Sequence, residues 1–505
     1  MAVTDFIVAI ELGSTRISGV AGKKKADGSI QILAYASEKS SGCIRKGTIF
    51  NLDKTTKTIE TVIGKLEEKL DASIKKVYVG VGGQSVRSIR KQETKKLNED
   101  TRISQALIDE MMKSNMELPL MDYEILAVEP QEYEIGTSQF TSEPVGVSTD
   151  RIKANFLNVI GRNKLKSDII KCFRQAGSGY EIAECVVSAQ ALAEVVLTPT
   201  EKRSGCILVD FGADTTTVSV YRGDKLRHLA VIPLGGSNIT KDICSKQIYE
   251  GDAEQVKLTF GSAYTAPADN QDDANKELSL DGKVSIKARD LEEIVEARIR
   301  EILENVVNQV VLSDYSEKLL EGAVLTGGGA NLANMEEAFT RISNFKKVRT
   351  ALQPNIALDD AENLIALDGT QNTLIGLLAI GKENCCKEYG LRQKNIELLT
   401  EMEQQRKKER ERQEAEEAEE ELKKKEKEKL EKCERLISAI RNLIKKKQYK
   451  NARKKADEAL ALGVQSKREE IDELIDEIEN LRSENSIFKR FYKALSDSAD
   501  DIMKE

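Results

Sequence analysis

The sequence is poor in the groups that do most acid–base and metal chemistry. It holds one histidine, His228, so His-based triads and multi-His metal sites are excluded. His228 follows Arg227 in a strand-like run, which predicts a structural surface role. Eight cysteines are scattered without a C-x-x-C pair, and several (Cys172, Cys185, Cys206) sit in apolar runs where buried free thiols are common. That pattern suits a reducing cytoplasm. The vicinal Cys385-Cys386 is too small a set for a metal site. No apolar stretch approaches the ~20 residues that cross a bilayer, and M-A-V-T-D leads straight into a strand, with no signal-peptide pattern. There is no excess of positive charge either: the net charge is −8, which argues against broad nucleic-acid binding.

What is present is an internal echo. Phe6–Arg16 reads F-I-V-A-I-E-L-G-S-T-R, and Gly205–Gly223 reads G-C-I-L-V-D-F-G-A-D-T-T-T-V-S-V-Y-R-G. Each is an apolar strand, an acid (Glu11, Asp210), an apolar residue, a glycine and a run of hydroxyls. A single strand–turn–strand of this kind is usually a plain hairpin. Two copies separated by most of a domain predict related lobes facing each other. An acid at a strand end, followed by a turn rich in N–H and O–H donors, suits Mg²⁺ and phosphate held together.

Around these loops the pattern alternates strand and helix. Helical spacing covers Thr55–Leu70, Lys164–Gln175, Asp252–Gly261 and Asp290–Val311. Strands are expected at Ile30–Tyr35, Val77–Val81, Arg151–Val159 and Gly322–Leu325. Ser104 is a plausible N-cap, and Ser237 or Thr240 is expected to cap the helix after Leu234-Gly235-Gly236. Residues 264–283 read as loop. The Ala-rich Val186–Leu197 and the helix around Gly376 suit close packing. Glu254 and Lys257 lie three apart on one helical face. Thr326-Gly327-Gly328-Gly329-Ala330-Asn331 is a glycine turn at a strand end.

Composition breaks near Leu398. To Lys432 nearly every residue is Glu, Lys, Arg or Gln, which cannot build a core but sustains a solvated helix through i, i+4 pairs. Leu436–Leu462 then reads as a helix pair and Ser466–Leu481 as a further helix. The end is amphipathic: Ile487, Phe488, Phe491 and Leu495 share a face flanked by Lys489 and Arg490. It fits an in-plane membrane helix or a helix docked on a partner, and Asp497, Asp500 and Asp501 count against the membrane.

Four elements together, the Glu11–Arg16 loop, the Asp210–Thr217 loop, the Glu254/Lys257 helix and the Thr326–Asn331 turn, resemble the ATPase core shared by actin, Hsp70 chaperones and sugar kinases. Within that superfamily the segments 126–147 (L-A-V-E-P-Q-E-Y-E-I…P-V-G-V), 226–243 and 323–332 resemble the FtsA family of bacterial cell division. The resemblance covers roughly residues 5–383. It implies an α/β, two-lobed actin-like ATPase fold with a small α/β insertion domain, followed by a charged helical C-terminal extension. The expected organisation is lobe 1 over 1–83 and 164–205, an inserted α/β subdomain over 84–163, lobe 2 over 206–383 with an upper subdomain about 245–320, a charged linker over 384–433, a helical segment over 434–485 and the amphipathic helix over 486–505.

The resemblance also implies ATP and Mg²⁺ as cofactors. Phosphates would meet Gly13, Ser14, Thr15, Arg16, Gly212, Ala213, Thr215 and Thr216. The nucleoside would meet Glu254, Lys257, Gly327, Gly328, Gly329 and Asn331. Glu11 and Asp210 would hold Mg²⁺ through water. Implied partners are FtsZ, further copies of the chain as a filament or oligomer, other divisome proteins and the membrane, reached through Ile487, Phe488, Lys489, Arg490, Phe491 and Leu495. The implied location is the cytoplasmic side of the cell membrane at the division septum; no nucleic-acid partner is expected. Two departures stand out. Ala213 and Asp214 replace glycines of the usual D-x-G-G-G-T loop, with Thr217 at a position otherwise acidic. No carboxylate falls within Ser188–Ala193, where chaperone relatives hold a water-activating Glu. Binding with at most slow hydrolysis is therefore expected, the alternatives being a chaperone-like or kinase-like ATPase and a scaffold that has lost its nucleotide.

Overall fold

A computed structural model describes residues 5–137, 139–177, 179–266, 276–280, 282, 284–387, 425, 427–483 and 490. Contacts divide the chain into 1–388 and 389–505, described separately below.

The first unit carries the same sheet plan twice. In one sheet the strands run Glu181–Val187, Lys76–Val81, Ile7–Leu12, Arg16–Lys24, Ile30–Lys39 and the short Leu358–Asp359. The first three are parallel and the next two fold back antiparallel. In the second sheet Val348–Thr350, Ala323–Thr326, Cys206–Phe211, Thr216–Arg222 and Lys225–Ile232 repeat that order, three parallel strands and then a meander. The central parallel strands are covered on both faces, which is why they read as continuous apolar runs. Val8, Ala9 and Ile10 are fully buried, as are Cys206, Ile207 and Val209.

Helix Leu52–Leu70 packs on the first sheet. Asn51 caps it by accepting from Lys54 N–H, and Asp71 ends it in the left-handed conformation. Its buried stripe, Ile59, Val62, Ile63, Leu66 and Leu70, is the one the spacing predicts. Helices Ser188–Val196 and Asn372–Ile380 cross so closely that a Cβ on Gly376 would lie 2.1 Å from Ala191 O. The alanines and Gly376 exist for this approach.

The second sheet does not end with its meander. Through Ala230 and Arg87 it continues into Arg87–Arg102, Ser148–Arg162, Tyr123–Ile135 and Gln139–Thr141. These strands, with helix Gln105–Met116 capped by Ser104, form the inserted α/β subdomain around Ile103, Met111, Ile152 and Phe156. Polar contacts fasten it to the second lobe. Lys225 Nζ donates to the carbonyls of Pro130 and Gln131, both at 2.7 Å. Arg227 reaches Gln131 Oε1 at 2.8 Å and Glu132 at 2.7 Å. His228 is half-buried, bonded through Nε2 to Gln309.

Two expectations change. Helix Gly236–Cys244 starts from Gly235, not from Ser237 or Thr240; Asn238 Oδ1 accepts from Gly235 N–H, and Thr240 lies inside the helix. Within 264–283, Glu277–Leu280 is a strand, paired with Val284–Lys287. Four-residue strands are too short for alternation to distinguish them from loop.

In the second unit, residues 427–445, Tyr449–Leu460 and 468–483 are helical. They bury Cys433, Ile437, Ile440, Ala452, Ala456, Ala459, Ile471, Leu474 and Ile478 together. Of the amphipathic end, Arg490 is helical and exposed; Ile487, Phe488, Lys489, Phe491 and Leu495 lie outside the described residues. So does most of the charged run.

Candidate nucleotide cleft

The two echoed hairpins have matching geometry. Pairing runs to Leu12↔Ile17 in one and Phe211↔Thr216 in the other, with four residues connecting each pair. In the first loop a Cβ on Gly13 would stand 2.7 Å from Arg16 O. In the second, a Cβ on Gly212 would stand 2.9 Å from Thr215 O. The same glycine is thus required for the same tight closure. The acids occupy equivalent places, Glu11 opposite Ser18 and Asp210 opposite Thr217.

Both loops face one open cleft of about 1660 Å³, which Glu254, Lys257, Gly327–Gly329 and Asn331 also line. That is more than the roughly 300–1,000 Å³ of a typical small-molecule pocket. Gly327 has φ +84°, and a Cβ there would fall 2.3 Å from Asp210 Oδ1. Only glycine lets this turn pack against the acid. Helix Glu250–Phe260 presents Glu254 and Lys257 to the start of helix Gly236–Cys244. Lys257 Nζ lies 2.7 Å from Glu254 Oε2, 3.1 Å from Thr240 Oγ1 and 3.3 Å from Gly236 O. That polar knot, with Lys257 buried, fixes the cleft wall. Asn331 Nδ2 donates to the carbonyls of Gly328 and Asp368 and so ties the glycine turn to the loop before helix Asn372–Ile380.

Two acids stand at the cleft floor. Burial and the neighbouring Asp210 push Glu11 up to about 8. Burial raises Asp210 to about 6. Two neighbouring buried carboxylates ionise more readily beside a cation. Mg²⁺ is commonly held by one or two carboxylates with water and substrate phosphates supplying the remaining ligands, so this donor set fits it.

Among the expected phosphate residues, Thr216 turns away from the cleft, while Ser14, Thr15 and Arg16 line it and carry bonds of their own. Thr216 is buried and donates to Leu234 O, so its hydroxyl is spent in the core. Strand alternation gives the cleft to Thr217 instead. Arg16 turns toward Ser37 Oγ at 3.2 Å. Ser14 Oγ accepts from Gly47 N–H, and Asp214 Oδ2 accepts from Lys46 N–H at 3.0 Å. Thr15 holds Ser40 N–H through its carbonyl. Sequence reasoning passed over Lys46-Gly47, whose only local signal is a Lys-Gly turn between short apolar runs.

Comparison with known proteins gives consistent results. The family model "Cell division protein FtsA" matches residues 207–368, and "SHS2 domain inserted in FTSA" matches 83–160. The cell division protein FtsA of Porphyromonas gingivalis is 29% identical over 389 residues, 74% of this chain and 78% of that protein. FtsA of Escherichia coli K12 is 28% identical over 392 residues, 75% of this chain and 90% of that protein. The chain is thus similar to the FtsA family across both lobes and the insertion. The FtsA model contains Asp210, Glu254, Lys257 and Gly327, and the inserted-domain model falls on the strands that extend the second sheet. Among solved structures, a chain of the PilM-PilN type IV pilus biogenesis complex superposes with TM-score 0.53 at 15% identity, covering 74% of this chain and 99% of that one. The chain has the two-lobed actin-like fold, with the insertion and a charged, partly helical C-terminal extension.

Proposed function

We propose that this cell-division protein binds Mg-ATP between its lobes and works at the inner face of the cytoplasmic membrane. The observation that carries the reading is the pair of matched four-residue loops on one cleft, with Glu11 and Asp210 beneath them. The N–H groups of Gly13–Thr15 and Ala213–Thr215 would take the β- and γ-phosphates, Gly212 N–H being bonded to Thr215 O. Gly327–Gly329 would admit the nucleoside, with Glu254 and Lys257 beside ribose and base. Glu11 and Asp210 would hold Mg²⁺ through water, and the ion would neutralise charge on the phosphates. Where helix Ser188–Val196 meets the cleft the side chain is Ser188, which does not take a proton from water at neutral pH, so turnover would be slow.

In this reading lobe 1 (1–83, 164–205) and lobe 2 (206–383) form the nucleotide switch and 84–163 a contact module. The chain polymerises at the septum and binds FtsZ. The 384–433 linker and 434–485 helices space the filament from the membrane, which the 486–505 helix grips through Ile487, Phe488, Phe491 and Leu495. Among the described residues no helix is long and apolar enough to cross a membrane.

Titration calorimetry with Mg-ATP tests the cleft: the full chain binds, and Asp210→Ala weakens binding at least tenfold. Equal heats for both would refute it. Liposome co-sedimentation of the full chain against one ending at Asn485 tests the tether, which equal pelleting would exclude.

A further inference from the structure

The two loops differ most where Thr15 in the first is matched by Asp214 in the second. Asp214 puts a carboxylate into a turn that lines the cleft, and its partner lies on the other lobe. Ile44–Arg45 and Thr48–Ile49 form a small hairpin. Lys46 and Gly47 make its two-residue turn, with φ +49° and +69°, the left-handed pair that closes such hairpins. The turn is clamped to the first lobe: Gly47 N–H donates to Ser14 Oγ at 3.1 Å, and Gln84 N–H donates to Lys46 O at 3.0 Å. A Cβ on Gly47 would lie 2.6 Å from Gly83 Cα. Lys46 N–H then reaches across the cleft to Asp214 Oδ2 at 3.0 Å. One turn thus holds a side chain from each of the two echoed loops.

We infer that Asp214 is a specificity-determining clasp: it holds the loops together across the cleft and must be displaced by the terminal phosphate of an incoming nucleotide. The inference rests on the reading of the cleft as a nucleotide site. A phosphate seated on Gly212–Thr215 brings negative charge to within a few ångströms of the carboxylate. At an effective dielectric of ~20, like charges about 6 Å apart cost well over a factor of ten in affinity. A triphosphate places more charge there than a diphosphate. Asp214 therefore narrows the preference for ATP over ADP that two donor-rich loops would otherwise give, and couples phosphate arrival to release of the 44–49 hairpin.

The test uses the full chain with Mg-ATP and Mg-ADP, and two variants. Asp214→Asn keeps an acceptor for Lys46 N–H and removes the charge. It is expected to raise ATP affinity about tenfold and ADP affinity less, shifting the ATP/ADP ratio toward ATP. Asp214→Ala removes the clasp as well. It is expected to speed amide exchange across 44–49 in nucleotide-free protein, with the thermal midpoint confirming that it is folded. An unchanged ATP/ADP ratio in Asp214→Asn, or unchanged exchange in Asp214→Ala, overturns the clasp and leaves the nucleotide reading standing. Failure of the unaltered chain to bind either nucleotide overturns that reading and the clasp with it.

Discussion

Replacing Glu11 by Gln should make the ligand-free protein more stable in mild alkali, although it removes a group from the candidate site. An unfolded chain would release the Glu11 proton near pH 4.5, whereas the folded chain holds it to about pH 8. Between those values the native state binds more protons, so stability falls as pH rises, and the loss is complete above about pH 8. The full interval corresponds to at most about 5 kcal/mol at ~1.36 kcal/mol per unit. Water in the open cleft lowers the effective interaction, and about 2 kcal/mol is a fair expectation. Asp210, raised to about 6, acts in the same direction over a lower range. The assay is thermal unfolding of the metal-free full chain, with and without the substitution, at pH 5.5 and pH 8.5. The unaltered protein should lose more stability between the two pH values, and Glu11→Gln should recover most of the difference. Mg²⁺ should stabilise the unaltered protein more at pH 8.5, where the carboxylates are ionised. Equal pH slopes for the two proteins, with Glu11→Gln the weaker at pH 8.5, would refute the account of a strained carboxylate pair.

Two further outcomes follow from packing and pairing. Gly376→Ala would press a Cβ to 2.1 Å from Ala191 O; it should cost about 1–3 kcal/mol, read as a lower thermal midpoint, whereas Gly64→Ala, with open space around its position, should not destabilise. Arg227→Ala should loosen the inserted subdomain from the second lobe, because Arg227 bonds Gln131, Glu132 and Arg222 O; limited proteolysis between 84 and 163 should accelerate several-fold, and an unchanged rate would mean that Lys225 and the strand pairing suffice.

The loops were legible because their information is local: an acid, a glycine two positions on, hydroxyls, and an apolar strand on each side. The long helices were legible for the same reason, since Ile59, Val62, Ile63 and Leu66 state their buried face directly. The clasp was not. Lys46 and Asp214 are 168 residues apart, and nothing near either announces the other. Thr216 was assigned to the cleft because composition does not say which face of a strand a hydroxyl takes; the register with Ile232 does. The start of helix Gly236–Cys244 was misread because Gly235 is needed for a reason outside the helix. A Cβ there would meet Ala213 O at 2.5 Å, so close contact with the second echoed loop, and not helix capping, chose the residue.

The inserted subdomain belongs to one lobe by sequence and to the other by bonding. Its chain leaves the first lobe after Gly83 and returns at helix Asn163–Gln175, yet its first strand pairs with Lys225–Ile232 of the second. The chain thus passes between the first lobe and the insertion at two short crossings, around residues 83–86 and 162–163, where Gly83 has φ +114° and Arg162 N–H donates to Ser85 Oγ. Were the lobes to rotate about the cleft, the insertion would travel with the second lobe through its bonds to Lys225 and Arg227, and residues 83–86 and 162–163 would carry the twist.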